Sequence, residues 1–486
     1  MKRVLIGNFL LRLGVHFIER VAGLVVVPIL IARIGVDGYG YYGLANGVIL
    51  LFVNILCLRF TMAMIRFYPG ERGKAGDVIA AGFLYWLGFA SVTGAVVAIA
   101  PARLAEFAFA DSGKLSLLVL SVAVGLLMTL YEFVTATLRA ENRFVLMSGV
   151  EASERLLFIG GCVLALWLWQ PTVELVLLVL LGGTILRLGV MLYPSLRGLR
   201  LRQPDARLFG SMLLFCLPFL PYLASVWLIE RSPFFLVAQK LGPESTGILM
   251  LAFTLASVLA AVTSPLQTTL FPMLSRAFDE NRIDDVREYM SIALRMTLSF
   301  CAFGSLTLII GTRPLLEILG IEAATPPRLL GGITCLALSL GALRQLVINL
   351  LHVEKKTASL VWVAILGAGV AVASSALLLP PLGLVGPAAG MAAGTLVQVF
   401  VMTRYASMSL VATPTRGYAA ALTISLLAAV GIQLLCLQFG AQIYFAGFLV
   451  SVGVFVVGHY FLGGLSDPER QALRLRLHSM RGRASA

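Results

Sequence analysis

The chain consists of apolar runs of about 20 residues separated by short polar segments, and its positive charge collects in alternate segments. Twenty residues at 1.5 Å each is the length an α-helix needs to cross a hydrocarbon core about 30 Å thick. Inside that core no water reaches the backbone, so such runs are forced into helices or closed barrels. Of the 486 residues, 59% are hydrophobic and only 13% charged, against about 25% charged in a soluble domain. This pattern predicts an all-α polytopic membrane protein of about fourteen spans. They fall near 9–31, 43–65, 79–100, 115–138, 150–169, 173–193, 210–230, 246–270, 290–311, 329–350, 357–379, 384–403, 417–437 and 442–462.

Lys and Arg side chains in short loops orient such a chain. The N-terminus and the segments after even-numbered spans carry 23 of them, the opposite loops 7: Arg33, Arg103, Lys114, Arg231, Lys240, Arg313 and Arg328. The bias places both termini in the cytoplasm and requires an even number of spans. It also accounts for the net charge of +13 as orientation against the membrane and its anionic lipids, with no separable basic cluster for nucleic acid. Met1-Lys2-Arg3 begins like a signal peptide, but the apolar run continues to Ile31, as a first span does. The six cysteines lie inside apolar runs and read as small buried hydrophobes. No loop is long enough to fold a catalytic domain.

Ile34-Gly35-Val36-Asp37-Gly38-Tyr39-Gly40 is echoed 207 residues later by Leu241-Gly242-Pro243-Glu244-Ser245-Thr246-Gly247. Gly35 matches Gly242, Asp37 matches Glu244, Gly40 matches Gly247 and Ala45 matches Ala252. The offset equals six spans, so the copies share an orientation, which implies parallel repeats about an axis along the membrane normal. The expected domains are a six-helix bundle over 1–200, a second over 201–405, two additional spans over 406–465 and a basic cytoplasmic tail over 466–486.

A charge at the centre of a spanning helix costs about 2.5–3.5 kcal/mol on insertion scales, so it faces a cavity or a partner. Arg12 and Glu19 share a face of span 1, at about 100° per residue, as expected of a helix lining a polar interior. Arg59 sits near the middle of span 2, and Arg295 and Arg344 near the cytoplasmic ends of spans 9 and 10. Guanidinium forks match phosphate oxygens, which makes Arg12, Arg59, Arg295 and Arg344 candidate contacts for an anionic substrate. Arg187 is a further candidate that also suits an orienting role near the interface. Glu19 and Glu132 are candidates for charge pairing or for H+ or Na+ coupling; Glu132 has no obvious local partner. Glu151 and Arg155 have the i,i+4 order that favours pairing at a helix start. No nucleotide loop, metal-spaced histidine set or serine elbow is present, so neither catalytic residues nor cofactors are expected.

The span count, both hairpins, and the span ends Ile65-Arg66-Phe67-Tyr68-Pro69 and Phe271-Pro272-Met273-Leu274-Ser275-Arg276 together resemble the polysaccharide-transport branch of the multidrug/oligosaccharidyl-lipid/polysaccharide exporter superfamily. That superfamily also holds multidrug and toxin extrusion pumps and lipid II flippases. The resemblance implies a V-shaped pair of six-helix bundles around a cavity. It also implies a flippase for undecaprenyl-diphosphate-linked oligosaccharide in the bacterial inner membrane, serving O-antigen, capsule or exopolysaccharide assembly beside polysaccharide polymerase and glycosyltransferases. The alternatives are a proton- or sodium-coupled multidrug exporter, a lipid II flippase, and a membrane glycan polymerase or ligase. The arginine excess disfavours cationic drugs, and the short external loops disfavour the polymerase.

Overall fold

Each of the fourteen apolar runs forms a helix. The computed structural model describes residues 2–57, 60–69, 75–141, 143–198, 205–356, 358–407 and 416–461, with side chains from residue 26 apart from a few single positions. Helices α1 (2–34) and α2 (36–57, resuming as Phe60–Arg66) are followed by α3 (Gly76–Ile99), α4 (Leu115–Ala140), α5 (Phe144–Leu168) and α6 (Val173–Leu196). The second set is α7 (206–241), α8 (243–279), α9 (Ile283–Ile318), α10 (Arg328–Val353), α11 (Ala358–Leu382) and α12 (Val385–Tyr405). Then come α13 (Arg416–Leu437) and α14 (Ala441–Phe461). The tail 466–486 lies outside the described residues.

The hairpins between α1 and α2 and between α7 and α8 have almost no loop. One glycine makes each turn: Gly35 at φ 77°, ψ 174° and Gly242 at φ 86°, ψ 177°. That region of backbone space is essentially reserved for glycine. The two repeat copies thus share a conformation as well as a pattern, and they pack on each other reciprocally. A Cβ on Gly40 would stand 2.0 Å from the Pro243 carbonyl oxygen, and one on Gly247 would stand 2.0 Å from that of Val36. Val36 and Pro243 are themselves repeat equivalents, so the two contacts interchange under the 207-residue offset. Gly43 faces Met250, its own equivalent. A local pseudo-twofold axis therefore runs between the hairpins, with Leu44, Ala45, Leu251 and Ala252 buried around it.

Below this contact Trp227 of α7 donates from Nε1 to the Gly47 carbonyl at 3.2 Å, and the Phe235 ring closes on Gly47. Towards the side of the termini, α2 meets α7 again through Phe60 and Phe209, with ring centroids 6.0 Å apart, and through Arg66 over the Phe215 ring at 4.9 Å. Between these zones α2 passes through a π-helical turn at Phe52–Leu56, which leaves Asn54 exposed. Such turns are frequent at functional sites.

The second bundle contains a tighter pair. Gly386, Gly390 and Gly394 of α12 lie against Leu378, Ser375 and Ala371 of α11 with no room for a Cβ. Small residues every fourth position let membrane helices approach closely, which supplies packing that lipid-facing leucines do not. The last two helices attach to α9 by a polar core. Gln433 of α13, fully buried, donates to Thr307 Oγ1 of α9 at 3.0 Å and to Ser451 Oγ of α14 at 2.8 Å. Tyr444 of α14 donates to Gln433 Oε1 at 3.3 Å.

The expected external loop between spans 7 and 8 is absent. Arg231 is not in an external loop: α7 continues as helix through Pro233 to 241. Proline tolerates this because neighbouring membrane helices and local adjustment compensate the lost backbone bond.

Because the Gly40 and Gly247 collisions are with backbone, nothing can rotate away. Gly40→Ala is expected to destabilise by about 3 kcal/mol, the upper end for overpacking. Gly88→Ala, with nothing within 4 Å of its added Cβ, is expected to be neutral or mildly stabilising. Thermal unfolding of both variants in detergent checks the contrast.

Candidate functional site

Arg231 sits eleven residues before Gly242, about 16 Å along the helix from the turn. It lies one turn from both Trp227 and Phe235, on the face that these two press against Gly47 of α2. Its guanidinium is half-buried, its nearest described ring is Phe234 at 6.0 Å, and among the described residues it makes no ion pair. The sequence reading missed this residue because Pro233 and Lys240 read as a loop. The signal lay in the aromatic–arginine–aromatic spacing at 227, 231 and 235.

The first bundle holds a compensated charge. Glu154 of α5 is 5% exposed, and Arg187 of α6 is 12% exposed; Arg187 Nη1 lies 3.5 Å from Glu154 Oε2. The Arg187 guanidinium also caps the Tyr131 ring of α4 at 4.1 Å, and the Tyr131 hydroxyl donates to Glu151 at 3.5 Å. Arg187 thus joins three helices instead of serving the interface. Arg155 does not form the expected pair with Glu151; it is exposed, close to Tyr42 of α2. Glu154, one turn from Glu151, reaches into the bundle while Arg155 turns towards α2.

In the second bundle, at a position that is not the repeat equivalent of Arg187, an arginine lacks a carboxylate partner among the described residues. Arg344 of α10 donates from Nη1 to Gln398 Oε1 of α12 at 2.9 Å, and buried Gln398 donates in turn to the Ala364 carbonyl of α11 at 3.5 Å. A neutral amide here takes the place of a carboxylate, so the positive charge persists. The Nε atoms of Arg344 and Arg187 are both buried without a hydrogen-bond partner, so the contrast lies in the carboxylate alone. Each bundle therefore spans its last three helices with an arginine, but only the first neutralises it.

Arg295 lies elsewhere, on the side of α9 that receives α13. Its carbonyl accepts from the Tyr418 hydroxyl at 2.8 Å, and Tyr418 and His459 converge on Ser299 of α9 at 2.8 and 3.2 Å. The structure thus separates Arg295 and Arg344, which the sequence reading grouped. Glu132 does have a partner in its own helix: Arg139 Nη1, seven residues on, at 2.5 Å. Two turns place them on one face, and the long arginine side chain spans the gap. The side chains of Arg12 and Glu19, and all of Arg59, lie outside the described residues.

Fourteen helices matching the apolar runs, with 11 candidate spans long and apolar enough to cross a membrane among the described residues, and two hairpin-paired bundles define a polytopic membrane protein. Solved structures with this fold include the lipid II flippase MurJ in an inward closed conformation, with TM-score 0.76 and 15% identity over 92% of this chain and 97% of that one. The MATE multidrug transporter DinF-BH aligns with TM-score 0.60 and 12% identity over 84% and 96%. An inward-facing MATE transporter of the MOP superfamily gives 0.60 and 13% over 83% and 98%. Among curated proteins no sequence match is found. The family model for polysaccharide biosynthesis proteins matches residues 5–278, more than half of the chain, and the protein belongs to that family.

Removing one partner of a buried ion pair strands the other. Glu154→Gln is therefore expected to cost about 3–5 kcal/mol, and Glu154→Gln combined with Arg187→Met to recover most of it. A double-mutant cycle on unfolding in detergent measures this.

Proposed function

We propose that this protein is a flippase for undecaprenyl-diphosphate-linked oligosaccharide. In this reading it moves the headgroup from the cytoplasmic to the periplasmic leaflet of the bacterial inner membrane, for assembly of O-antigen, capsule or exopolysaccharide. The observation that carries the reading is Arg231, an arginine without an ion-pair partner at mid-membrane between the bundles. Glu230 beside it in the chain acts on its charge without closing an ion pair, which leaves the fork open to a ligand, and a guanidinium fork fits a diphosphate. Arg344, with no carboxylate partner among the described residues, adds a second positive charge within the helices. Membership of the polysaccharide biosynthesis family supports a glycan as the cargo. Arg12 and Arg59 remain candidate contacts from α1 and α2.

Both termini face the cytoplasm in this reading, following the positive-inside rule. Residues 1–200 and 201–405 are the two moving bundles, and 406–465 the helices attached to the second. H+ or Na+ coupling through Glu19 belongs to the same proposal. Glu132 and Glu154 are engaged by Arg139 and Arg187, which disfavours export of cationic drugs. Polymerase and glycosyltransferases of the same pathway are the expected neighbours.

Arg231→Ala is expected to slow translocation about tenfold to a hundredfold, since a hydrogen bond to a charged group contributes about 1.5–3 kcal/mol. Arg231→Lys, which keeps the charge without the fork, falls between. The assay reconstitutes the protein in liposomes with labelled undecaprenyl-diphosphate oligosaccharide and follows headgroup protection. A wild-type rate in the alanine variant removes Arg231 from the site; no acceleration by folded wild-type protein removes the flippase reading.

A further inference from the structure

On the side opposite the termini, a cavity of about 820 Å³ opens between the second bundle and the appended helices, within the range of about 300–1,000 Å³ typical of ligand pockets. Arg231 is not among the residues that line it, and it has two unlike walls. The wall on α13 and α14 is apolar, formed by Leu434, Leu437 and Ala441. The wall on α9 and α10 carries four charges: Arg313 and Glu317 one turn apart on α9, Glu322 in the short turn Glu322–Ala324, and Arg328 as the first residue of α10. All four are exposed, and among the described residues none forms an ion pair.

This placement is unfavourable for the empty protein. Arg328 puts a cation at a helix N-terminus, against the macrodipole, where Pro327 provides no side-chain cap. Arg313 and Glu317 are spaced to pair and do not. An anion between Arg313 and Arg328 resolves the first conflict, because the free N–H groups of α10 and two guanidinium groups then converge on it. A cation beside Glu317 and Glu322 resolves the second. The ligand that presents both charges a few ångströms apart and carries an apolar body is a zwitterionic phospholipid.

The geometry points to a binding site for an aminophospholipid of the phosphatidylethanolamine type. Its phosphate sits on Arg313 and Arg328, its ammonium on Glu317 and Glu322, and its acyl chains run along α13 and α14. With the termini cytoplasmic, the lipid comes from the outer leaflet. It wedges the appended pair against the second bundle, a role separate from the transport path and independent of the flippase reading.

The test uses the full-length protein, delipidated in detergent and offered equimolar phosphatidylethanolamine and phosphatidylglycerol of identical acyl chains, with bound lipid read by native mass spectrometry. Wild type is expected to retain phosphatidylethanolamine over phosphatidylglycerol by about tenfold. Arg313→Ala/Arg328→Ala is expected to lose both lipids. Glu317→Gln/Glu322→Gln, which keeps the shape of the cavity, is expected to bind both equally. The selectivity of this second variant reads the proposal even where the arginine variant unfolds. Equal binding of the two lipids by wild type, unchanged selectivity in the glutamine variant, or displacement of the aminophospholipid by an equimolar amount of undecaprenyl phosphate overturns the site.

Discussion

The reciprocal backbone contact between the two hairpins is the constraint on which the rest of the structure depends. Gly40 lies against the Pro243 carbonyl and Gly247 against that of Val36, so each repeat supplies both a missing side chain and the backbone that fills the space. The interaction is attractive only because no Cβ intervenes, and membrane helices have little else to hold them. Lipid tails are as apolar as leucine, so close packing must replace the hydrophobic effect as the force between helices. The hairpins have no loop to absorb motion: Gly35 and Gly242 turn directly from one helix into the next. Movement of one bundle against the other therefore bends helices or rocks them about this contact.

That contact also explains why Arg231 is tolerated. Trp227 and Phe235 fix α7 against Gly47 on either side of it, so the guanidinium is held at the boundary between bundles and kept from lipid. The bundles then differ in how they treat charge. In the first, Glu154 and Tyr131 take up Arg187, and the cluster works as a rigid cross-brace. In the second, Gln398 meets Arg344 with an amide dipole alone, while the glycines of α12 supply the rigidity by packing. Symmetry of the backbone thus coexists with asymmetry of charge, one bundle braced by a compensated pair and the other left with an arginine that only an amide meets.

Helix positions were largely legible in the sequence because the bilayer makes length and apolarity sufficient. The Gly35 and Gly242 echo was legible as a pattern, and its offset implied the axis. Its meaning as a reciprocal contact was not, since that depends on which backbone faces which glycine. Charges were legible only when local rules applied. Glu132 and Arg139 are seven residues apart, beyond the three- and four-residue spacings usually searched, and Arg187 meets Glu154 only through tertiary packing. Arg231 was hidden by Pro233, which signals a break in water and is absorbed in a membrane helix. Arg295, grouped with Arg344 by depth alone, turned to a different neighbour.

The appended helices extend the same logic. Gln433 would be costly in lipid, yet with Thr307, Ser451 and Tyr444 around it it fastens α13 and α14 to α9. A polar pin of this kind fixes the pair near its outer end, where Tyr444 also lies against Gly311 of α9, and the cavity opens just beyond it. Arg313 and Glu317 on α9 face that opening two turns beyond the pinned region. The charges there form no ion pair with one another, and α13 offers only Leu434 and Leu437 opposite. The gap is thus a product of where the polar contacts end, and its two walls match the two halves of an amphipathic molecule.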